Sequence, residues 1–79
     1  MKVRILFFGA TAQATGEREI EFDLAERTKA ADALRQILGR FPQLERHSLL
    51  VAVNQEYASG EETIQNGDEL AIFTAVSGG

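Results

Sequence analysis

The chain contains no cysteine, which excludes disulfide bracing, a thiolate nucleophile and any metal site of the cysteine type. It has one histidine. That residue, His47, has no further ligands at metal-binding spacing, so it reads as a solvated loop residue and no metal site is expected. Positive charge is also sparse: eight Lys and Arg stand against twelve Asp and Glu, for a net charge of -4. The basic residues are scattered, so nucleic acid is not an expected partner. No segment approaches the ~20 apolar residues of a membrane span, so no membrane partner is expected either. The run Ile5 to Phe8, between Lys2-Val3-Arg4 and Ala10-Thr11-Ala12, superficially resembles a secretion signal but is shorter than the ~7 to 15 apolar residues such a signal needs. A cytoplasmic protein is the expectation.

What remains is enough for one small fold. At 79 residues and 44% hydrophobic content, the chain can bury only about 60% of its unfolded surface, which allows a single core. Lys2 to Phe8 alternates, with Val3, Ile5 and Phe7 on one side and Leu6 and Phe8 on the other, as a strand does. Gly9 to Gly16 reads either as a wide connection or as a short helical turn. In Glu17 to Leu24, Ile20, Phe22 and Leu24 alternate with Glu19, Glu21 and Asp23, which predicts a half-buried strand. Thr28 is placed to cap a helix in which Ala30, Leu34, Ile37 and Phe41 recur at helical spacing. Gly39 weakens its last turn and Pro42 prevents continuation, which puts the helix at about Lys29 to Leu38.

Further along, Gln43 to Ser48 is polar and reads as linker or one helical turn. Leu49 to Val53 is short, apolar and β-branched, as suits a strand covered on both sides. Asn54-Gln55-Glu56 supplies turn chemistry before a brief strand at Tyr57-Ala58, and Asn66-Gly67-Asp68 is the strongest local turn signal. Glu69 to Thr74 is a last strand with Leu70 and Ile72 inward and Ala71 and Phe73 outward. Residues 75–79 are expected to follow as a flexible, extended tail of the same domain. One helix over one sheet of four to five strands, with first and last strands parallel at the centre, is an α+β arrangement of the β-grasp kind.

The ending Ser77-Gly78-Gly79 is the clearest chemical feature. Without Cβ atoms a Gly-Gly end fits a slot too narrow for other residues, in backbone conformations they cannot adopt. Its carboxylate is a group that ATP can activate as an acyl adenylate, for attack by sulfur or nitrogen on a partner enzyme. Other candidates are weaker. Glu61-Glu62 are adjacent acids in a polar stretch and read as facing water, and Ser48, Ser59 and Ser77 lack any recognisable His-Asp arrangement for hydrolysis. Arg4, Arg18, Lys29 and Arg40 are each able to meet an acidic partner. Asp32 with Arg35 reads as ordinary helical surface pairing.

Three segments, VRILFF (Val3 to Phe8), AVNQEY (Ala52 to Tyr57) and GDELAIFTAVSGG (Gly67 to Gly79), resemble the small, sulfur-carrying subunits of molybdopterin synthase within the ubiquitin-like β-grasp carriers. The resemblance covers essentially the whole chain. It implies that an adenylating enzyme related to ubiquitin-activating enzymes uses Mg-ATP to activate Gly79, and that a sulfur donor protein converts it to a thiocarboxylate. The tail, Val76, Ser77 and Gly78 included, then enters the large catalytic subunit, where the sulfur passes to cyclic pyranopterin monophosphate. On this expectation the chain is no enzyme by itself, holds no stable cofactor and has no catalytic residue of its own. Since it lacks cysteine, its sulfur must be borrowed. Thr74-Ala75 stand where the family often has a proline pair, which implies a more mobile tail.

The same resemblance aligns Tyr57 with a position that contacts the large subunit. Strand alternation puts Phe8 and Phe73 on the face away from the helix, where together they form either a docking patch or a cover over the open sheet. Carriers for thiamin synthesis or tRNA thiolation share this fold and ending, as do ubiquitin-like modifiers joined to lysine. A plain interaction module with an inert tail is the remaining alternative.

Overall fold

The computed structural model describes residues 1–75. Strands β1 (Lys2–Phe7), β2 (Glu19–Asp23), β3 (Leu49–Val53), β4 (Glu56–Tyr57) and β5 (Glu69–Thr74) form one sheet in the order β2-β1-β5-β3-β4. β1 and β5 are parallel, and every other pairing is antiparallel. Helix α1 (Ala10–Thr15) follows β1, and helix α2 (Ala30–Arg40) leads into a 3₁₀ turn at Pro42–Arg46. This is the ubiquitin-like β-grasp fold, with its two central strands parallel.

Alternation in the strands builds the core. Val3, Ile5 and Phe7 of β1, Leu70 and Ile72 of β5 and Val51 of β3 are buried against Ala30, Ala33 and Ile37 of α2. Leu24, Leu44 and Ile64 close the edges of the same cluster. Removing these apolar side chains from water is the main force that holds so small a chain together.

The segment Gly9 to Gly16, open between two readings, contains a helix. Gly9 and Gly16 flank it at φ 57° and 73°, conformations that glycine adopts without steric cost. Helix α2 starts one residue later and runs two residues further than its spacing predicts. Gly39 stays inside it because the next turn is fastened: Phe41 N–H donates to Ile37 O at 2.9 Å, and the Arg40 guanidinium lies 5.9 and 5.4 Å from the ring centroids of Phe22 and Phe41.

Thr28 does not cap α2. The cap position falls on Lys29, without a side-chain bond, and the Thr28 hydroxyl donates to Ala25 O instead. The helix start is satisfied from far along the chain: Ala30 N–H donates to Glu62 O at 2.8 Å and Ala31 N–H to Gly60 O at 3.0 Å. Gly60 has φ 110°, and a Cβ there would stand 3.2 Å from Ala31 Cβ, so both backbone angle and close approach call for glycine.

Two details of the strands also differ from expectation. The fourth strand lies at Glu56–Tyr57, one residue earlier, because Asn54 and Gln55 form a two-residue hairpin loop at φ 50° and 70°, the positive values that such loops require. β3 is not covered on both sides: Val51 is buried, but Leu50 is 38% exposed, since the layer of helices lies over one face only.

Candidate functional site

The uncovered face of the sheet is ordered in rows by the strand register. Arg4 stands between Glu21 and Glu69, and Leu6 between Glu19 and Ala71. Ala71 is paired with Ala52, and Ala52 with Tyr57. Leu50 is paired with Phe73. Phe8, one residue past β1, donates its N–H to Ile72 O at 3.2 Å, which continues the parallel register and sets it beside Phe73. One end of the face is therefore charged and the other apolar.

The apolar end gathers the predicted docking residues. Phe8 is 51% exposed and Tyr57 77% exposed, while Phe73 is half-buried. The rings of Tyr57 and Phe73 are 5.7 Å apart and tilted, a separation at which aromatic pairs attract. Leu50 extends the patch and was not among the expected residues. No polar residue in Leu49 to Val53 marks an exposed side, so the unbroken apolar run reads first as a strand buried on both sides. Aromatic rings left this exposed on a small domain are costly to hold in water.

The charged end is a lattice of ion pairs, all exposed but for the half-buried Glu69. Arg4 reaches Glu69 at 3.1 Å and Glu19 at 3.8 Å, and Lys2 reaches Glu21 at 3.9 Å. Beneath it, side chains wire the strand starts to the turns. Lys2 N–H donates to Asn66 Oδ1 at 2.9 Å. Asn54 Nδ2 donates to Asp68 Oδ1 at 2.9 Å, and Asn54 Oδ1 accepts Glu69 N–H at 3.0 Å. The motifs AVNQEY and GDE thus meet in space through Asn54, Asp68 and Glu69. What they share is a scaffold joint.

The loop at the start of α2 holds a carboxylate with a displaced titration. Glu62 accepts Ser59 N–H at 2.8 Å, the Ser59 hydroxyl at 3.1 Å and Gly60 N–H at 2.9 Å. These bonds, the one from Ser59 N–H foremost, favour the charged form and lower its pKa from 4.5 to about 2. Glu62 therefore does not simply face water, as its place in a polar stretch suggests. Its neighbour Glu61 pairs with Lys29 at 3.2 Å. Asp32 and Arg35 form the expected surface pair at 2.9 Å, whereas Arg18 has no ion pair among the described residues.

His47 is half-buried, and among the described residues no three His, Cys, Asp or Glu side chains cluster to hold a metal ion. No helix among those residues is long and apolar enough to cross a membrane. Val76, Ser77, Gly78 and Gly79, the expected insertion segment and carrier residue, lie outside the described residues. The last described residue, Ala75, donates its N–H to Ser48 O at 3.1 Å, so ladder hydrogen bonding continues one residue past β5, beside the aromatic end of the face.

A β-grasp sheet with one helix-covered face and one half-apolar open face defines a ubiquitin-like protein. Comparison with known proteins narrows the class: the chain belongs to the ThiS family, whose model matches residues 5–79. The molybdopterin synthase sulfur carrier subunit of Chlamydomonas reinhardtii is 32% identical, with all of both chains covered. The protein of the same description from Homo sapiens is 34% identical, covering 99% of this chain and 94% of its own. Among solved structures, SAMP1 of Haloferax volcanii superposes with a TM-score of 0.88 at 31% identity, with 100% of each chain covered.

Proposed function

We propose that the chain is a sulfur carrier, the small subunit of a molybdopterin synthase. The observation that carries this reading is the match, over the full length of both chains, to a protein described as a molybdopterin synthase sulfur carrier subunit. A Gly78-Gly79 ending agrees with it.

On this reading the Gly79 carboxylate attacks the α-phosphate of Mg-ATP on an E1-like adenylating enzyme, with loss of pyrophosphate. The terminal sulfur of a donor protein's persulfide then displaces AMP, and a thiol reductively cleaves the resulting acyl disulfide, leaving a thiocarboxylate. That soft nucleophile forms a C–S bond to cyclic pyranopterin monophosphate inside the large subunit, whose side chains provide the acid-base chemistry and the positioning. The small subunit carries sulfur and catalyses nothing itself. It acts in the cytoplasm and holds no cofactor of its own. Phe8, Tyr57 and Phe73 dock on the large subunit while Val76, Ser77 and Gly78 thread Gly79 into its pocket, where only residues without Cβ pass the narrowest point.

Reconstitution tests this directly. Thiocarboxylated chain, purified large subunit and pyranopterin precursor should yield dithiolene product, and a chain lacking Gly79 should yield none while melting at the wild-type temperature. Full product formation by the shortened chain would refute the carrier role.

The likeness to SAMP1, the small archaeal modifier protein 1 of Haloferax volcanii, favours a second reading, a modifier joined through Gly79 to lysine. Mass spectrometry separates the two. A carrier shows one oxygen replaced by one sulfur at its end, and a modifier leaves lysine-linked conjugates. Thiamin synthesis and tRNA thiolation are the other destinations for a thiocarboxylate of this kind, and the choice of acceptor in the same reconstitution decides among them.

A further inference from the structure

Helix α1 is six residues long and has neither acidic residues in its first turn nor basic ones in its last. That is about half the ~12–15 residues at which a helix begins to hold itself together in water. Its only buried residue is Thr11, which has none of its surface exposed. The Thr11 hydroxyl lies among three backbone groups. Oγ1 accepts Phe8 N–H at 3.0 Å, and it stands 2.9 Å from Phe8 O and 2.8 Å from Ile72 O, to either of which it can donate.

These partners flank the aromatic patch. Phe8 is the exposed ring at the end of β1, and Ile72 immediately precedes Phe73 in β5. A single buried hydroxyl therefore spans the seam between the two central strands at the level of the apolar row. The plainer role, satisfying polar groups in a turn, does not require it. Phe8 N–H already donates to Ile72 O, and Phe8 O already accepts Thr11 N–H. Both of those backbone bonds are 3.2 Å long, at the weak end of the range. Beyond Phe8 the chain turns through Gly9 at φ 57°, a residue whose backbone resists rotation least.

We infer that Thr11 is a positioning residue for partner docking: its hydroxyl fixes Phe8 against the Ile72-Phe73 backbone, so that Phe8, Phe73 and Tyr57 present one preformed surface. The inference rests on the proposed reading that this patch meets the large subunit. A surface ordered before contact loses less freedom on binding, and the gain appears as affinity.

The test is a calorimetric titration of the full-length chain with the large subunit, at a temperature where every variant is folded. Thr11→Val keeps the shape, removes the hydroxyl and leaves both backbone bonds, so it should fold. It should weaken association about three- to tenfold, the worth of one hydrogen bond, while Thr11→Ser stays within about twofold of wild type. If Thr11 acts through Phe8, its effect shrinks in a Phe8→Ala background, whereas a merely structural role adds independently. In the free Thr11→Val chain the Phe8 and Phe73 amides should exchange faster with solvent. Unchanged affinity for Thr11→Val, equal weakening by Thr11→Ser, additive effects or unchanged amide protection each overturn the inference. Phe73→Asp in the same titration tells the two failures apart: if it weakens binding while Thr11→Val does not, the docking reading stands without Thr11. If neither variant alters binding, the docking reading fails and takes the positioning role with it.

Discussion

The two ends of the open sheet face use the same strands for opposite purposes. At the starts of β1 and β5, Arg4, Glu19, Glu21 and Glu69 cover the sheet with paired charges, and Asn54, Asn66 and Asp68 tie strands to turns. At the ends of those strands, Phe8, Phe73, Tyr57 and Leu50 leave apolar surface in water, and the chain runs on from there toward Gly79. Self-satisfied polar groups have nothing left to offer a partner, whereas exposed rings gain free energy only when one arrives. The difference separates the half of the face that maintains the fold from the half that is available for docking.

Breaking the apolar end should produce the largest effect. Phe73→Asp puts a charge where the proposed interface excludes water, and an unpaired buried charge costs ~3 kcal/mol or more, which is at least about a hundredfold in affinity. The free chain should melt somewhat lower, because Phe73 is half-buried against Tyr57, but it should stay folded, because Phe73 lies outside the helix-covered core. An unaltered dissociation constant in titration with the large subunit would show that this end merely roofs the sheet.

Breaking the polar end should do the reverse. Asn54→Ala removes the bonds to Asp68 and to the Glu69 amide and places alanine at φ 50°, costing about 1.5 to 3 kcal/mol of stability in urea unfolding. Affinity for the large subunit should stay at the wild-type value once both chains are folded. Loss of binding equal to that of Phe73→Asp would erase the distinction between the ends.

Both ends were partly legible in the amino-acid sequence, for different reasons. Alternation in Lys2 to Phe8 and Glu69 to Thr74 assigns inner and outer residues because a strand's period of two is strict, so the outward placement of Phe8, Phe73 and Leu6 follows at once. Leu50 was hidden by its neighbours: LLVAV has no polar residue to mark an exposed side. The cap of α2 was hidden by distance. Thr28 stands where a local cap belongs, yet Glu62 and Gly60, some thirty residues later, supply the carbonyls, and no local pattern encodes such a meeting. Thr11 was invisible as a functional candidate because a threonine between alanines gives no sign that its hydroxyl ends up bonded to the backbone of both Phe8 and Ile72. The motifs that revealed the family, by contrast, turn out to be joints of the scaffold at Asn54 and Asp68.

The remote cap makes a prediction of its own, in which acid acts on the fold and leaves the apolar end intact. Glu62 titrates near 2 in the folded chain against 4.5 ordinarily, so its charged form favours folding. That contribution is complete above about pH 4.5 and is lost as pH falls through about 2. In that window the unfolded chain binds more protons than the folded one, and stability rises with pH. Urea unfolding at several pH values from 5 down to 2 should show a flatter dependence for Glu62→Gln than for wild type. Parallel curves would mean that the bonds to Ser59 and Gly60 do not form in solution.

The smallest effect is expected at the border between the two ends, where the row of Arg4 and Glu69 adjoins the row of Leu6 and Ala71. Arg4 is half exposed, and its pairs with Glu69 and Glu19 at 3.1 and 3.8 Å are of the kind that contribute less than ~1 kcal/mol. Arg4→Gln should therefore shift urea stability by less than that, and affinity for the large subunit by less than about fivefold, mainly through the association rate and its salt dependence. If Arg4→Gln instead speeds dissociation as strongly as Phe73→Asp, the partner's footprint crosses the border, and Arg4 and Glu69 must exchange their mutual pairing for contacts across the interface. The ratio of the two dissociation rates thus locates the edge of the docking surface to within one row of side chains, about 7 Å along the strands.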